Sequence, residues 1–350
     1  MGTASDHRVG ECGQASPDAP APPVLTVTDL RAYYRTRSFG VEREVRAVDG
    51  VSLHVKPGEI YGLAGESSCG KTTLIKTIAA AIRPPLAVLG GTVTFDFAGR
   101  RVELYGRARA DLAEIRWKHL SYIMQGSMNV LNPVQRVRQT FIDFAHRHLG
   151  GAMPELLAKV TSHLQRVELQ ASVLDAYPHE LSGGMRQRVA IALATICRPE
   201  FIIADEPTTA LDVVVQKSVL ALFRQVQREI GSSVIFVTHD LTVQANLSDR
   251  LGIMYAGRLV EEGPTAEMFR SPKHPYTQHL IASLPRIGGV APKKGLEGSP
   301  PNLADPPAGC RFHPRCPLAM DICRRQVPPM AWIGPEHRVA CFAVPEARVQ

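Results

Sequence analysis

The chain has 350 residues, 45% hydrophobic and 21% charged, which is enough apolar sequence to bury a sizeable core in one large domain with a smaller companion. Its formal charge of +7 comes from scattered basic residues, apart from an arginine-enriched stretch at Arg311, Arg315, Arg324, Arg325 and Arg338. No RNA- or DNA-binding motif accompanies them, so a nucleic-acid partner is not expected. No apolar run approaches the roughly 18 residues a membrane span needs, because Val189 to Ala204 is broken by Arg198, Pro199 and Glu200.

Residues 1–23 are rich in Ala, Pro, Gly and Asp and have no apolar stretch of the kind that opens a signal peptide. They are expected to form a disordered leader on a cytoplasmic protein. Val24 to Asp29 alternates like a strand, and Gly50 to Val55 reads as another before a Pro57-Gly58 turn. The apolar segment Ile60-Tyr61-Gly62-Leu63-Ala64 then leads into Gly65-Glu66-Ser67-Ser68-Cys69-Gly70-Lys71-Thr72-Thr73, and Leu74 to Ile82 has helical character. Strand, glycine-rich loop and helix in that order form a cradle for nucleotide phosphates. Glycines free the backbone N–H groups to point inward, Lys71 reaches the β- and γ-phosphates, and the Thr72 hydroxyl is suited to Mg²⁺ at the positive end of the helix dipole.

From the loop to residue 200 the pattern reads as mostly helical. Pro154 to Leu169 carries Leu156, Leu157, Val160, Leu164 and Val167 at helical spacing, and Met185 to Ala194 does the same. Phe201 to Ala204 and Val234 to Val237 are short continuous apolar runs, as expected of strands covered on both faces, with a helix from Val214 to Glu229 between them. Leu251 to Glu262 reads as a hairpin turned at Ala256-Gly257.

Asp205-Glu206 ends the first of those runs, at the strand end where open α/β sheets bind ligands. Asp205 is suited to the Mg²⁺ shell and Glu206 to orienting and polarising an attacking water. Far more sequence separates Lys71 from Asp205 than one crossover needs, so a substantial insertion is expected, about residues 126–182. It ends in Leu181-Ser182-Gly183-Gly184-Met185-Arg186-Gln187-Arg188, a small-residue turn that opens a helix and offers a second anion-binding N-terminus. One nucleotide has no use for two in a single chain. A head-to-tail dimer resolves this, with Ser182 and Gly184 of one subunit capping the γ-phosphate held by the other.

Together these residues resemble the nucleotide-binding subunits of ATP-binding cassette transporters, over roughly residues 24–345. The resemblance implies a P-loop ATPase cassette: a RecA-like α/β core sheet, an N-terminal antiparallel β subdomain and a helical signature subdomain over residues 24–270, then a small Cys-rich C-terminal extension over 271–350. It makes Gln125 the glutamine that meets both Mg²⁺ and the transmembrane partner. Tyr34 becomes the adenine-stacking aromatic, with Tyr33 as an alternative. His239 becomes the histidine that bonds the γ-phosphate, and Ala210-Leu211-Asp212 the D-loop. Finer features look like the oligopeptide/dipeptide permease branch: Leu131-Asn132-Pro133, Tyr177-Pro178-His179-Glu180, His274-Pro275-Tyr276-Thr277 and Ser283-Leu284-Pro285. That likeness implies a subunit on the cytoplasmic face of the membrane, working with two permease subunits, a second and non-identical ATPase and an extracytoplasmic solute-binding protein. The implied cargo is di- or oligopeptides, or else nickel or oligosaccharides. A soluble cassette ATPase of repair, translation or an enzyme complex is the alternative, and an exporter subunit a second. Two features depart from the branch: Cys69, where small Ser or Gly is usual and a thiol invites oxidation, and the segment Gly126 to Val130.

Cys310, Cys316, Cys323 and Cys341 follow the pattern Cys-x5-Cys-x6-Cys-x17-Cys among Pro, Arg and His, with too little apolar sequence for an independent core. A staple is expected. Four thiolates suit a four-iron, four-sulfur cluster, as held by some relatives of this branch, or Zn²⁺ with His313 or His337 as substitute ligands. Reduced structural thiols are the remaining option. Cys12 and Cys197 have no partners in this pattern.

Overall fold

The computed structural model describes residues 21–38, 40–106, 109–126, 130–209, 211–284 and 296–345. The leader through residue 20 with its Cys12, residues 127–129 of the atypical segment, Ala210 of the D-loop and Pro285 lie outside them. Short apolar runs form the centre of an eight-stranded sheet. Its order is Ala331–Trp332, Arg338–Val339, Arg258–Pro264, Arg250–Tyr255, Ile60–Ala64, Ser233–Val237, Phe201–Asp205 and Leu120–Ile123. The last five of these run parallel, with registers such as Ile60↔Val234 and Phe201↔Ser233. Alternate residues of the Phe201–Asp205 strand enter two separate cores: Phe201 and Ile203 join one cluster, Ile202 and Ala204 the other. Burial on both faces is why these strands read as unbroken apolar runs.

Leu25–Ser38 and Val41–Val55 are longer than the alternation at Val24 to Asp29 suggests, pairing from Leu25↔Val55 to Ser38↔Val41. With Leu86–Phe97 and Arg100–Glu103 they form a separate four-stranded antiparallel sheet. The stretch after the phosphate loop is therefore not mostly helical. Val93, Phe95 and Phe97 alternate into the core of this sheet, a period of two that marks a strand. Helices follow at Val137–Leu149, Met153–Arg166 and Gly183–Thr195, sharing one core through Phe141, Val160 and Ile191. The predicted hairpin is present: Ala256 and Gly257, at φ of 47° and 83°, turn Arg250–Tyr255 into Arg258–Pro264.

The C-terminal extension is woven into this frame. Its Arg338–Val339 strand pairs antiparallel with Glu261 and Glu262, adding two short strands to the main sheet. Both glutamates are fully buried and both are answered. Glu262 accepts from Tyr61 Oη at 2.7 Å, Arg250 Nη2 at 2.9 Å and Arg338 Nε at 2.8 Å. Glu261 accepts from the N–H groups of Lys273 and His274 at 2.7 and 2.9 Å and lies 2.9 Å from His337 Nε2. Buried Phe312 packs on Tyr255 and Tyr276 at ring separations of 5.1 and 5.5 Å. Buried carboxylates persist only when paired in this way.

That arrangement corrects the expected metal staple. Cys310, Cys316, Cys323 and Cys341 line one small hollow beneath His274 and Phe312, but among the described residues no group of three or more His, Cys, Asp or Glu is placed to hold a metal ion. Neither the iron–sulfur cluster nor the zinc reading stands. Burial raises the thiols of Cys310 and Cys316 and pushes that of Cys341 up to about 11. Sheet pairing and buried ion pairs already hold the extension, so no staple is needed.

Candidate active site

The phosphate loop leaves the buried Ile60–Ala64 strand and enters the Lys71–Ile78 helix. Its two outer glycines are sterically required. A Cβ on Gly65 (φ 149°) would lie 2.2 Å from Met254 O, and one on Gly70 (φ 106°) would lie 2.0 Å from Ala47 O. Gly70 opens the helix with no side-chain cap, so first-turn N–H groups remain available to an anion. Lys71 Nζ folds back on the loop, donating to Gly65 O at 2.8 Å and Glu66 O at 2.9 Å. The Cys69 side chain is buried in the core beneath the loop, with its sulfur 3.6 Å from Lys71 Nζ. Burial raises its thiol although Lys71 pulls against it, so oxidation at this position is disfavoured rather than invited.

In front of the loop lies a cleft of about 390 Å³ lined by Tyr34, Lys71, Thr72, Gln125, Glu206 and His239, with Ser67, Ser68, Gly70 and Thr73 also on its wall. Tyr34 Oη lies 3.3 Å from Thr73 Oγ1. Tyr33, its neighbour, turns to the opposite side of the strand and donates to Asp49 Oδ1 at 2.6 Å. Of the two tyrosines, Tyr34 is the one at the cleft.

Asp205 and Glu206 stand at the end of the Phe201–Asp205 strand. Asp205 is 1% exposed, and burial, with the neighbouring Glu206 charge, pushes its carboxyl up to about 6. Tyr122 Oη donates to its Oδ2 at 3.4 Å, whereas Oδ1 is buried with no protein partner. Glu206 turns out of the strand at φ 47°, a left-handed conformation that costs a non-glycine residue energy and recurs at functional positions. Three groups converge on its carboxylate: Gln125 Nε2 and Thr209 Oγ1 donate to Oε2 at 3.0 and 3.1 Å, and His239 Nδ1 lies 3.5 Å from Oε1. His239 is otherwise largely exposed on the cleft side.

Ser182, Gly183 and Gly184 are not part of that wall. Ser182 caps the Gly183–Thr195 helix, accepting from Met185 N–H at 3.3 Å. A Cβ on Gly184 would approach Val215 Cγ1 to 2.8 Å, so close helix packing also demands that glycine. Asp212 caps the Val213–Ile230 helix through Val214 and Val215. Four participants were not legible in the sequence: Leu303 on the cleft wall, Tyr122 and Thr209 beside the acids, and the C-terminal Arg315, whose guanidinium meets Glu66. Only the tyrosine has a local signal, at the end of a β-like run leading to Gln125.

The ABC transporter family matches residues 48–209, and the oligopeptide/dipeptide transporter C-terminal region matches residues 260–323. The dipeptide transport ATP-binding protein DppD of Caldanaerobacter subterraneus is 38% identical over 328 residues, covering 93% of this chain and 98% of that protein. The oligopeptide transport ATP-binding protein OppD of Salmonella typhimurium is 39% identical over 329 residues, covering 92% and 94%. Among solved structures, the bacterial ABC transporter cassette MJ0796, a dimer, superposes with a TM-score of 0.58 at 25% identity over 69% of this chain and 98% of its own. The same cassette in a post-hydrolysis state bound to ADP and Pi superposes equally well at 24% identity, a likeness of fold. The chain belongs to the ATP-binding proteins of ABC transporters, in their oligopeptide/dipeptide branch, and has the ABC ATPase fold.

Proposed function

We propose that the chain hydrolyses ATP to drive import of di- or oligopeptides, or of the related solutes nickel or oligosaccharides, through separate permease subunits. The observation that carries this reading is the meeting of Gln125, Thr209 and His239 on Glu206 across the cleft from Lys71 and Thr72. The donor set suits ATP with Mg²⁺: glycines that bring bare backbone to the ligand, an uncapped helix start, and a buried Asp205 oxygen with no protein partner. The names of the relatives support peptide transport over the repair, translation and exporter alternatives.

In this reading Gly65 to Thr73 hold the triphosphate by their backbone N–H groups, and Lys71 exchanges the carbonyls of Gly65 and Glu66 for phosphate oxygens. Tyr34 packs on the adenine. Thr72, Gln125 and Asp205 hold Mg²⁺, which when bound screens the phosphate charge and draws electrons from the bond to be broken. Glu206 accepts a hydrogen bond from the attacking water and aligns it with the γ-phosphorus, while Gln125 and Thr209 fix the direction of its carboxylate. His239 donates to the γ-phosphate once occupied. Ser182, Gly183 and Gly184 face a neighbour's nucleotide, and Asp212 at the base of the next helix lines the same joint. Two such subunits then enclose two nucleotides.

The cassette spans residues 24–270 and the extension 271–350. The partners are two permease subunits, a second and non-identical ATPase, and an extracytoplasmic binding protein reached through the permeases. The chain's place is the cytoplasmic face of the membrane. No helix among the described residues is long and apolar enough to cross it. Reconstitution in proteoliposomes with candidate permease subunits and a second ATPase of the same branch tests the reading. ATP hydrolysis should rise severalfold when peptide-loaded binding protein is supplied on the far side. Hydrolysis indifferent to that addition, with no peptide accumulation, would overturn the transport assignment.

A further inference from the structure

The phosphate loop carries a carboxylate where a polyanion is to bind. Glu66 follows Gly65 directly, yet its side chain does not line the nucleotide cleft. It lines the neighbouring hollow formed with Tyr255, Pro300, Pro301 and Leu303. There it meets Arg315 of the C-terminal extension in a two-pronged pair, Nη1 to Oε2 at 2.8 Å and Nη2 to Oε1 at 3.1 Å. Arg315 is 6% exposed and fixed on its other sides. Its Nε donates to Glu297 O at 3.1 Å, its Nη1 also reaches Tyr255 Oη at 3.2 Å, and its guanidinium lies 5.8 Å from the centre of the Tyr255 ring. The extension grips the backbone of the same residue as well, since Glu66 N–H donates to Tyr276 Oη at 2.8 Å.

We infer that Arg315 is a positioning residue for the nucleotide site: it neutralises the Glu66 carboxylate and holds it away from the phosphates, so that the extension sets the triphosphate affinity of the cassette. A planar fork buried against an aromatic ring is the arrangement that makes an arginine–carboxylate pair directional. Without it, a free carboxylate on a short stem from the loop backbone repels each phosphate charge in a half-buried, weakly screened setting. The extension, remote in sequence, thereby becomes part of the ATP site, and this inference rests on that site being an ATP site.

The test measures ATP, ADP and adenosine binding to the full-length wild type and to Arg315→Gln, Glu66→Gln and the double variant. Arg315→Gln should weaken ATP by about tenfold, ADP by less and adenosine not at all, because the penalty scales with ligand charge. The double variant should recover most of the lost ATP affinity, which a merely structural tie between extension and loop would not allow. ATP binding by Arg315→Gln equal to wild type overturns the inference. So does an equal loss for adenosine, or a double variant as weak as the single. If Arg315→Gln does not fold, Glu66→Gln carries the test: with the carboxylate gone from the loop there is no charge left to neutralise, so ATP affinity should equal or exceed that of wild type, and a roughly tenfold loss overturns the inference. A wild type that binds no ATP would instead overturn the functional reading itself.

Discussion

Gln125 donates its side-chain amide to Glu206 Oε2 at 3.0 Å, tying the loop after one parallel strand to the acid at the end of the next. The bond aims the Glu206 carboxylate across the cleft, where Thr209 and His239 also reach it. Glu206→Gln keeps the size and most of the contacts but removes the acceptor charge that polarises water. ATP should remain bound while turnover falls by about two to three orders of magnitude. Single-turnover hydrolysis beside equilibrium binding checks this, and near-normal turnover would remove Glu206 from its role.

Gly70 makes a purely steric prediction. A methyl group there would lie 2.0 Å from Ala47 O, at a φ of 106° that L-residues avoid. Gly70→Ala must move either the loop or the Ala47 strand, so ATP binding should fall by at least about tenfold even where the protein folds. Lys71→Ala should also weaken binding, but with unchanged thermal stability, because Lys71 bonds only to its own loop among the described residues. Equal melting temperatures for Gly70→Ala and Lys71→Ala would contradict the steric account.

Those two residues were legible in the sequence because their work is local: glycine conformation, a strand before and a helix after. The same is true of Asp205-Glu206 and of the Ala256-Gly257 turn. The Leu86–Phe97 strand was missed because Gly90 and Gly91 interrupt its alternation where the register against Leu25–Ser38 shifts. Arg315 and Glu66 are 249 residues apart, and nothing in either neighbourhood announces the other. The cysteine tail misled for a related reason. Its thiols do gather in one hollow, but the forces that hold it come from Glu261 and Glu262 on a distant strand.

Two buried histidines predict acid lability. Burial brings His163 and His274 down to about 4 from an ordinary 6.5. A base with a depressed folded pKa contributes stability that is complete above 6.5 and is lost as pH falls toward 4. Each should cost about 2 kcal/mol by pH 5. Asp205 acts in the opposite sense, since its carboxyl is raised from 3.8 to about 6 and the cost of its ionised form fades over the same interval. His274 Nδ1 accepts from Tyr276 N–H at 3.0 Å, a capping role that asparagine can keep. His274→Asn should therefore match wild type at pH 7 and exceed it by about 2 kcal/mol at pH 5 in urea unfolding. An unchanged difference between the two pH values would refute the assignment.

The extension supplies the last prediction, a contrast between two sets of side chains. Arg338 and His337 answer carboxylates that have no exposure to solvent, so Arg338→Ala or His337→Ala leaves a buried acceptor short of a partner. Each should cost about 2 kcal/mol, softened by the donors that remain: Arg250 and Tyr61 on Glu262, and the Lys273 and His274 N–H groups on Glu261. Stripping the nucleotide-free protein with a strong chelator, by contrast, should leave the melting temperature unchanged to within about a degree, because among the described residues no group of three or more His, Cys, Asp or Glu is placed to hold a metal ion. A chelator-induced fall comparable to that of Arg338→Ala would mean that the four thiols, and not the sheet-edge ion pairs, hold the tail in place.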